Sequence, residues 1–332
     1  MSELRWHPLL REWVITATER QERTFLPPPG YCPLCPQRPG GPPTEIPAPT
    51  FHIVTFQNRF PSLRPDPPLP AVAGNDLHPV APAAGVCEVI VYTPEHEGSL
   101  TDRSVDEIED LIWVWTDRYQ ELGARPEIRY VFIFENKGEV IGVTLHHPHG
   151  QIYAFPFLPP RLERELESIA AHRARTGRCL VCDVVADEER DGRRMVARSE
   201  HFTAAVPFFA RWPYEVHLWS RAHRPSLAAL APEERRDLAR ALKTVLLKYD
   251  HLWGLSMPYM MVLKQLPTDG RPPEADHFRI EFYPPHRTRE KLKFLASVES
   301  GAGTFINDTL AEEKAAELRA AAPAGTAVIE GI

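Results

Sequence analysis

The sequence predicts an α+β fold: a duplicated unit of mainly antiparallel sheet with helices packed on it. Three observations carry this. Short β-rich runs alternate with amphipathic helical stretches. Two Cys-x-x-Cys pairs, Cys32/Cys35 and Cys179/Cys182, stand early in each half of the chain. Segments of the first half also recur in the second. Residues 88–96 answer 215–223, with an offset of 127 at both ends, and self-similarity of this kind signals a repeated supersecondary unit. The repeat continues into the next helix, where Leu111 and Trp115 answer Leu238 and Leu242. Residues 130–134 are then answered by 259–263, and 147–153 by 277–283. The halves are set at residues 1–176 and 177–332.

In chain order, residues 13–16 read as a short strand. Arg20 and Arg23 follow, three apart, before a proline-rich loop. The 35 prolines, concentrated before residue 85 and around 155–160, indicate ordered but irregular loops. Residues 51–56 and 87–93 read as strands, the second buried, with Cys87 a plain core residue. Ser104-Val105-Asp106-Glu107 is a capping box. It opens a helix whose core face carries Val105, Ile108, Leu111, Ile112, Trp115 and Tyr119. Residues 128–134 form a strand and 135–138 a polar loop. Then comes His147-Pro148-His149-Gly150-Gln151-Ile152-Tyr153. Alternation along an extended chain puts the two imidazoles on one side, and Gly150 lets the backbone approach a ligand closely. A helix over residues 161–176 ends the first half.

Composition narrows the function. The chain has 332 residues, 43% apolar and 25% charged, within the range of a soluble globular protein. A net charge of −7 argues against a broad nucleic-acid or anionic-membrane surface. With no signal-peptide pattern and no membrane-spanning run, the expected location is the cytoplasm. In a reducing compartment, Cys-x-x-Cys pairs bind metal or do redox work more often than they form disulfides. Cys32 and Cys35 suit two thiolates on one tetrahedral zinc, which needs two more ligands.

The His-x-His-x-Gln motif followed by apolar residues resembles the histidine-triad superfamily. With Phe134-Glu135-Asn136-Lys137-Gly138 upstream, it is similar to the galactose-1-phosphate uridylyltransferase branch. The fold is therefore expected to be two histidine-triad-like halves. The resemblance implies transfer of a nucleotidyl group from UDP-glucose to a hexose 1-phosphate, galactose 1-phosphate foremost. The transfer would be ping-pong, through a covalent uridylyl-His149 intermediate, with Gln151 donating to a phosphoryl oxygen. It implies phosphate contacts from Arg20, Arg23, Asn136 and Thr144, and a uridine and ribose pocket around Asn58 and Phe60. It also implies a hexose-phosphate segment with Lys293, Phe294 and Glu299. Val298 and Phe305 depart from the polar residues that better-known members carry there.

The resemblance completes the zinc set as Cys32, Cys35, His96 and His147. Carried across the repeat, the same set becomes Cys179, Cys182, His223 and His277, a possible second zinc; no organic cofactor is implied. The nucleophile's position maps to Arg279, which leaves one active site per chain. Better-known members hold a further metal with one Glu and three His. Here Glu165 stands with Lys264, Arg279 and Glu281, so ion pairs are expected instead. A homodimer is expected from the family. Two other readings are an adenylyl-transferring ADP-sugar phosphorylase and a non-catalytic, zinc-stabilised nucleotide-binding module.

Overall fold

The structure is a computed structural model that describes residues 2–23 and 27–321. Its strands are β1 (Ser2–His7), β2 (Glu12–Ala17), β3 (Val54–Gln57), β4 (Val80–Pro82), β5 (Val86–Val91), β6 (Tyr130–Lys137) and β7 (His149–Phe155) in the first half. The second half adds β8 (Met195–Arg198), β9 (Phe202–Ala205), β10 (Val216–Ser220), β11 (Tyr259–Lys264) and β12 (Arg279–Tyr283). Its last segment adds β13 (His286–Thr288) and β14 (Lys291–Leu292). The helices are α1 (Val105–Gly123), α2 (Pro160–Thr176), α3 (Leu180–Asp191), α4 (Pro232–Leu252), α5 (Ser297–Ala302) and α6 (Ala311–Ala320).

Among the described residues, nine strands join in one sheet, ordered β3-β5-β7-β6-β11-β12-β10-β9-β8. Every pairing in it is antiparallel. The order is nearly palindromic about the β6–β11 seam, as a duplicated unit joined edge to edge should be. The seam pairs Asn136 with Met260 and Phe134 with Val262, so the two halves share one hydrogen-bonded ladder. No helix among the described residues is long and apolar enough to cross a membrane.

α1 begins at the capping box: the Ser104 hydroxyl accepts from Glu107 N–H while the Glu107 carboxylate accepts from Ser104 N–H. Its apolar stripe buries Ile108, Leu111, Ile112 and Trp115 on one face of the sheet, beside the matching stripe of α4. α2 covers part of the other face, where Leu162 and Leu166 pack on Tyr130. The rest of that face, over β5, β7 and β6, is left for the N-terminal segments and the site.

Three sequence expectations need correction. Residues 135–137 are strand, not loop: β6 runs on to Lys137 because β11 supplies its backbone partners as far as Tyr259. The β6 repeat is also one residue out of phase. Tyr130 packs under α2 whereas Tyr259 lies in the α1/α4 core. An offset of 130, the one that relates His149 to Arg279, restores the alternation, so Ile133 answers Leu263. Finally, Gly150 does not clear space for a ligand. A Cβ there would lie 2.2 Å from Tyr92 Oη, so the phenol of Tyr92 occupies that space.

Candidate active site

The His147–His149 segment enters β7 at its first residue. His147 precedes the strand, so strand alternation does not orient it, and the two rings serve different neighbours. His147 Nε2 lies 2.7 Å from the Thr93 carbonyl oxygen, which only accepts, so Nε2 carries the proton and Nδ1 the lone pair. Nδ1 faces Cys35 Sγ at 3.5 Å and Cys32 Sγ at 3.9 Å, and His96 Nδ1 lies 3.5 Å from Cys35 Sγ. Burial lowers the His147 pKa and keeps the ring neutral, as a ligand must be. Burial, with Cys32 alongside, pushes the Cys35 thiol up to about 11 until a cation replaces its proton.

The second set repeats this geometry. His277 Nε2 lies 2.7 Å from the Ser220 carbonyl, and its Nδ1 faces Cys182 Sγ at 3.4 Å and Cys179 Sγ at 3.8 Å. His223 Nδ1 lies 3.8 Å from Cys182 Sγ. In each set all four ligand atoms lie within 4.8 Å of one another. Bonds of about 2.0–2.3 Å from one tetrahedral ion give ligand–ligand edges of about 3.3–3.8 Å, so both sets fit zinc in chemistry and in spacing. In each, a buried His has its far nitrogen fixed by a carbonyl, the usual outer-sphere arrangement.

His149 Nδ1 lies 2.7 Å from the His147 carbonyl oxygen. That bond places the proton on Nδ1 and the lone pair on Nε2. The ring lines a cavity of about 230 Å³ together with Asn58, Phe60, Asn136, Thr144 and Gln151. A chain of amides orients the donors. Asn58 Oδ1 accepts from Phe60 N–H at 2.9 Å, and Asn58 Nδ2 donates to Gln151 Oε1 at 3.3 Å. The Gln151 NH₂ is therefore the end available to donate onward. Arg20 stands beside the cavity, donating to the Phe60 carbonyl and the Tyr153 hydroxyl, each at 3.0 Å. The side chain of Arg23 lies outside the described residues. Sequence reasoning missed Tyr31, Glu45, Phe56, Arg59 and Val89 on the cavity wall. Phe56 and Val89 were legible from alternation, since each is two residues from a chosen or buried strand position on the same face.

Lys293, Phe294 and Glu299 do not line this cavity. Lys293 Nζ contacts Glu299 at 3.3 Å and the Ile306 carbonyl, and sits 6.0 Å from the Trp212 ring centroid. Trp212 lies just before β10, and β10 stands four places from β7 in the sheet, a separation of about 19 Å.

At the second half's equivalent of His149, Arg279 is 5% exposed. Its Nη1 donates to the His277 carbonyl at 3.0 Å and to Asp276 at 3.1 Å, its Nε to Glu281 at 2.8 Å, and its Nη2 to Glu165 at 2.5 Å. Lys264 joins Glu165 at 3.0 Å. Against the cost of burial, His217, Lys264 and Arg279 hold the Glu281 carboxylate well below its usual range. The expected ion-pair cluster is present.

Residues 1–159 match the family described as galactose-1-phosphate uridyl transferase, N-terminal domain, and residues 165–326 match its C-terminal domain. A galactose-1-phosphate uridylyltransferase of Thermotoga maritima is 42% identical over 326 residues, covering 96% of this chain and 98% of that protein. One from Rattus norvegicus is 34% identical, covering 95% and 86%. A solved uridylyltransferase structure superposes with a TM-score of 0.86 at 36% identity, covering 96% of this chain and 98% of that one. An ADP-glucose phosphorylase from Arabidopsis thaliana shares the fold, with a TM-score of 0.72 at 22% identity.

Proposed function

This chain belongs to the galactose-1-phosphate uridylyltransferase family, and from that premise we propose that it moves the uridylyl group of UDP-glucose to a hexose 1-phosphate, galactose 1-phosphate foremost. The observation that carries the reading is the bond from His149 Nδ1 to the His147 carbonyl, which puts the lone pair on Nε2 of a ring lining the cavity.

Nε2 attacks the α-phosphorus in line. The N–P bond forms as the P–O bond to the β-phosphate breaks, and glucose 1-phosphate leaves with the electron pair. The uridylyl group stays on the ring as a phosphoramidate, whose imidazolium character makes it a good leaving group. A phosphate oxygen of the acceptor hexose 1-phosphate then attacks from the vacated side and frees His149. Gln151, Asn136 and Thr144 donate to the transferring phosphoryl oxygens. Gln151 cannot shuttle a proton, which favours transfer over hydrolysis. Asn58 and Phe60 hold the uridine end, while Arg20 and Arg23 offset phosphate charge.

Cys32, Cys35, His96 and His147 would hold a zinc in the first set, and that zinc would tie His147, and through its carbonyl His149, to the Cys32–Cys35 loop. Its chemistry there is structural, because a four-ligand protein site leaves no position for water. The second set, Cys179, Cys182, His223 and His277, would hold a second structural zinc. The enzyme works as a homodimer in the cytoplasm. The hexose-phosphate segment supports the dimer: it stands far from its own cavity and exposes Phe294, Leu295, Val298 and Ile306. In the dimer it completes the partner's site. Within each chain the halves divide after Thr176, where Gly177 caps α2.

Mixing the enzyme with UDP-glucose alone and mapping peptides by mass spectrometry tests the chemistry. One uridylyl group is expected on the peptide containing His149, and no adenylyl group when ADP-glucose replaces UDP-glucose. A label elsewhere, or only from ADP-glucose, refutes the reading. Two zinc ions per chain are expected by elemental analysis.

A further inference from the structure

Behind the sheet from His149 lies a buried carboxylate that the mechanism above does not use. β6 and β7 pair Phe134 with Gln151. The next residues, Glu135 and Gly150, therefore face one another on the α1/α4 side, while His149 faces the cavity. Glu135 is 5% exposed. Its Oε2 accepts from Tyr92 Oη at 3.0 Å and its Oε1 from Tyr259 Oη at 2.9 Å. Tyr92 follows β5 and Tyr259 opens β11, so the carboxylate bridges the seam between the halves. Tyr92 grips the His motif twice. Its N–H donates to the Pro148 carbonyl at 3.1 Å, and its hydroxyl fills the space over Gly150, where a Cβ would meet Oη at 2.2 Å.

Two phenols donating at once need an acceptor at both oxygens. A carboxylate provides that; an amide, with one oxygen and one NH₂, does not. Burying a carboxylate is costly, and simple packing would be served by an apolar side chain or a glutamine. Burial raises the Glu135 pKa to about 7, with the two phenols and Lys137 opposing the rise. Lys137 itself is held by Asp250 at 3.2 Å and lies over the Tyr259 ring.

We propose that Glu135 is a positioning residue for the transfer reaction: through Tyr92 and Tyr259 it holds Gly150, and with it the ring of His149, at a fixed height in the cavity. The proposal rests on His149 being the nucleophile.

Rapid-quench mixing of the zinc-loaded full-length enzyme with UDP-glucose tests it, reading glucose 1-phosphate release, label on His149 and donor Kd. For Glu135→Gln and Tyr92→Phe we expect a rate loss of about tenfold or more, with donor Kd within about threefold and zinc content unchanged. Tyr92→Phe keeps the packed ring, so it reports even where Glu135→Gln folds poorly. Gly150→Ala should lose about a hundredfold, and adding Tyr92→Phe should cost less than the product of the two single losses, because removing Oη makes room for the new Cβ. Rates within about twofold of the parent in folded variants, or a rate loss matched by weakened donor binding, overturn the proposal. A parent enzyme that acquires no label on His149 refutes the functional reading itself, a separate outcome from labelled parent with unimpaired variants.

Discussion

His149 and Arg279 occupy the same place in the two halves, 130 residues apart. Each follows, by two residues, a histidine of a Cys₂His₂ set, and each donates to that histidine's carbonyl, at 2.7 Å and 3.0 Å respectively. Their surroundings differ. His149 lines a cavity whose wall mixes the amides of Asn58, Asn136 and Gln151 and the Thr144 hydroxyl with both an acid and a base, Glu45 and Arg59, whereas Arg279 is enclosed by three carboxylates. The Cys₂His₂ set persists in both halves. What changed is the group it presents: a ring with a nucleophilic nitrogen in one, a guanidinium without one in the other. Duplication preserved the frame, and one frame now serves to lock the fold.

Mutating the two residues should therefore give opposite results. His149→Asn is expected to abolish turnover, by about a thousandfold or more, with little change in denaturant midpoint. Arg279→Met is expected to do the reverse. It removes the guanidinium that Glu165, Asp276 and Glu281 share and leaves only Lys264 and His217 to offset their charge, at a cost of about 3–5 kcal/mol in urea unfolding, while rate per folded molecule stays close to the parent's. An Arg279→Met enzyme as stable as the parent would show that the cluster is not a lock.

Glu135 sharpens the same contrast, because its counterpart 130 residues on is the neutral Gln265. The Glu135 pKa is raised from 4.5 to about 7. The folded chain thus binds a proton that the unfolded chain has lost between those values, and stability from this group is full below pH 4.5 and lost as pH rises through 7. Glu135→Gln removes the titration. The stability difference, parent minus variant, should fall by up to about 3 kcal/mol between pH 4.5 and pH 8 in denaturant titrations. A difference independent of pH would show that the carboxylate is not buried as described.

The smallest effect concerns the metals. Cys35→Ser should lower kcat by about 10- to 100-fold, since the first set anchors the carbonyl that orients His149. Cys182→Ser should lower thermal stability with kcat nearly unchanged, since the carbonyl it anchors orients Arg279. Equal loss of kcat in both would show that the second set also supports catalysis.

Much of this was legible in the chain because it is written in short spacings. The capping box at Ser104, the two Cys-x-x-Cys pairs and the His-x-His-x-Gln run each act within a few residues, where covalent geometry limits the outcome. The repeat then carried the ligand set from the first half to the second. Reading failed where a distant partner decided. Residues 135–137 looked like a loop because polar residues cluster there, and only β11 makes them strand. Gly150 looked like room for a ligand, and only the placement of Tyr92 shows what fills it.

The sequence by itself determined the chemistry on offer: two Cys₂His₂ sets, an imidazole at His149 suited to nucleophilic attack, and an arginine at its mirror position. The tertiary structure alone decided which of these groups meet. It joined β6 to β11 so that Glu135 could gather two tyrosines from opposite sides of the seam, and it set Lys293 four strands away from His149. Residue type and local spacing set what a side chain can do. Contacts between segments far apart in the chain depend on which strands pair, and that follows from the burial of a whole sheet rather than from any single stretch of sequence.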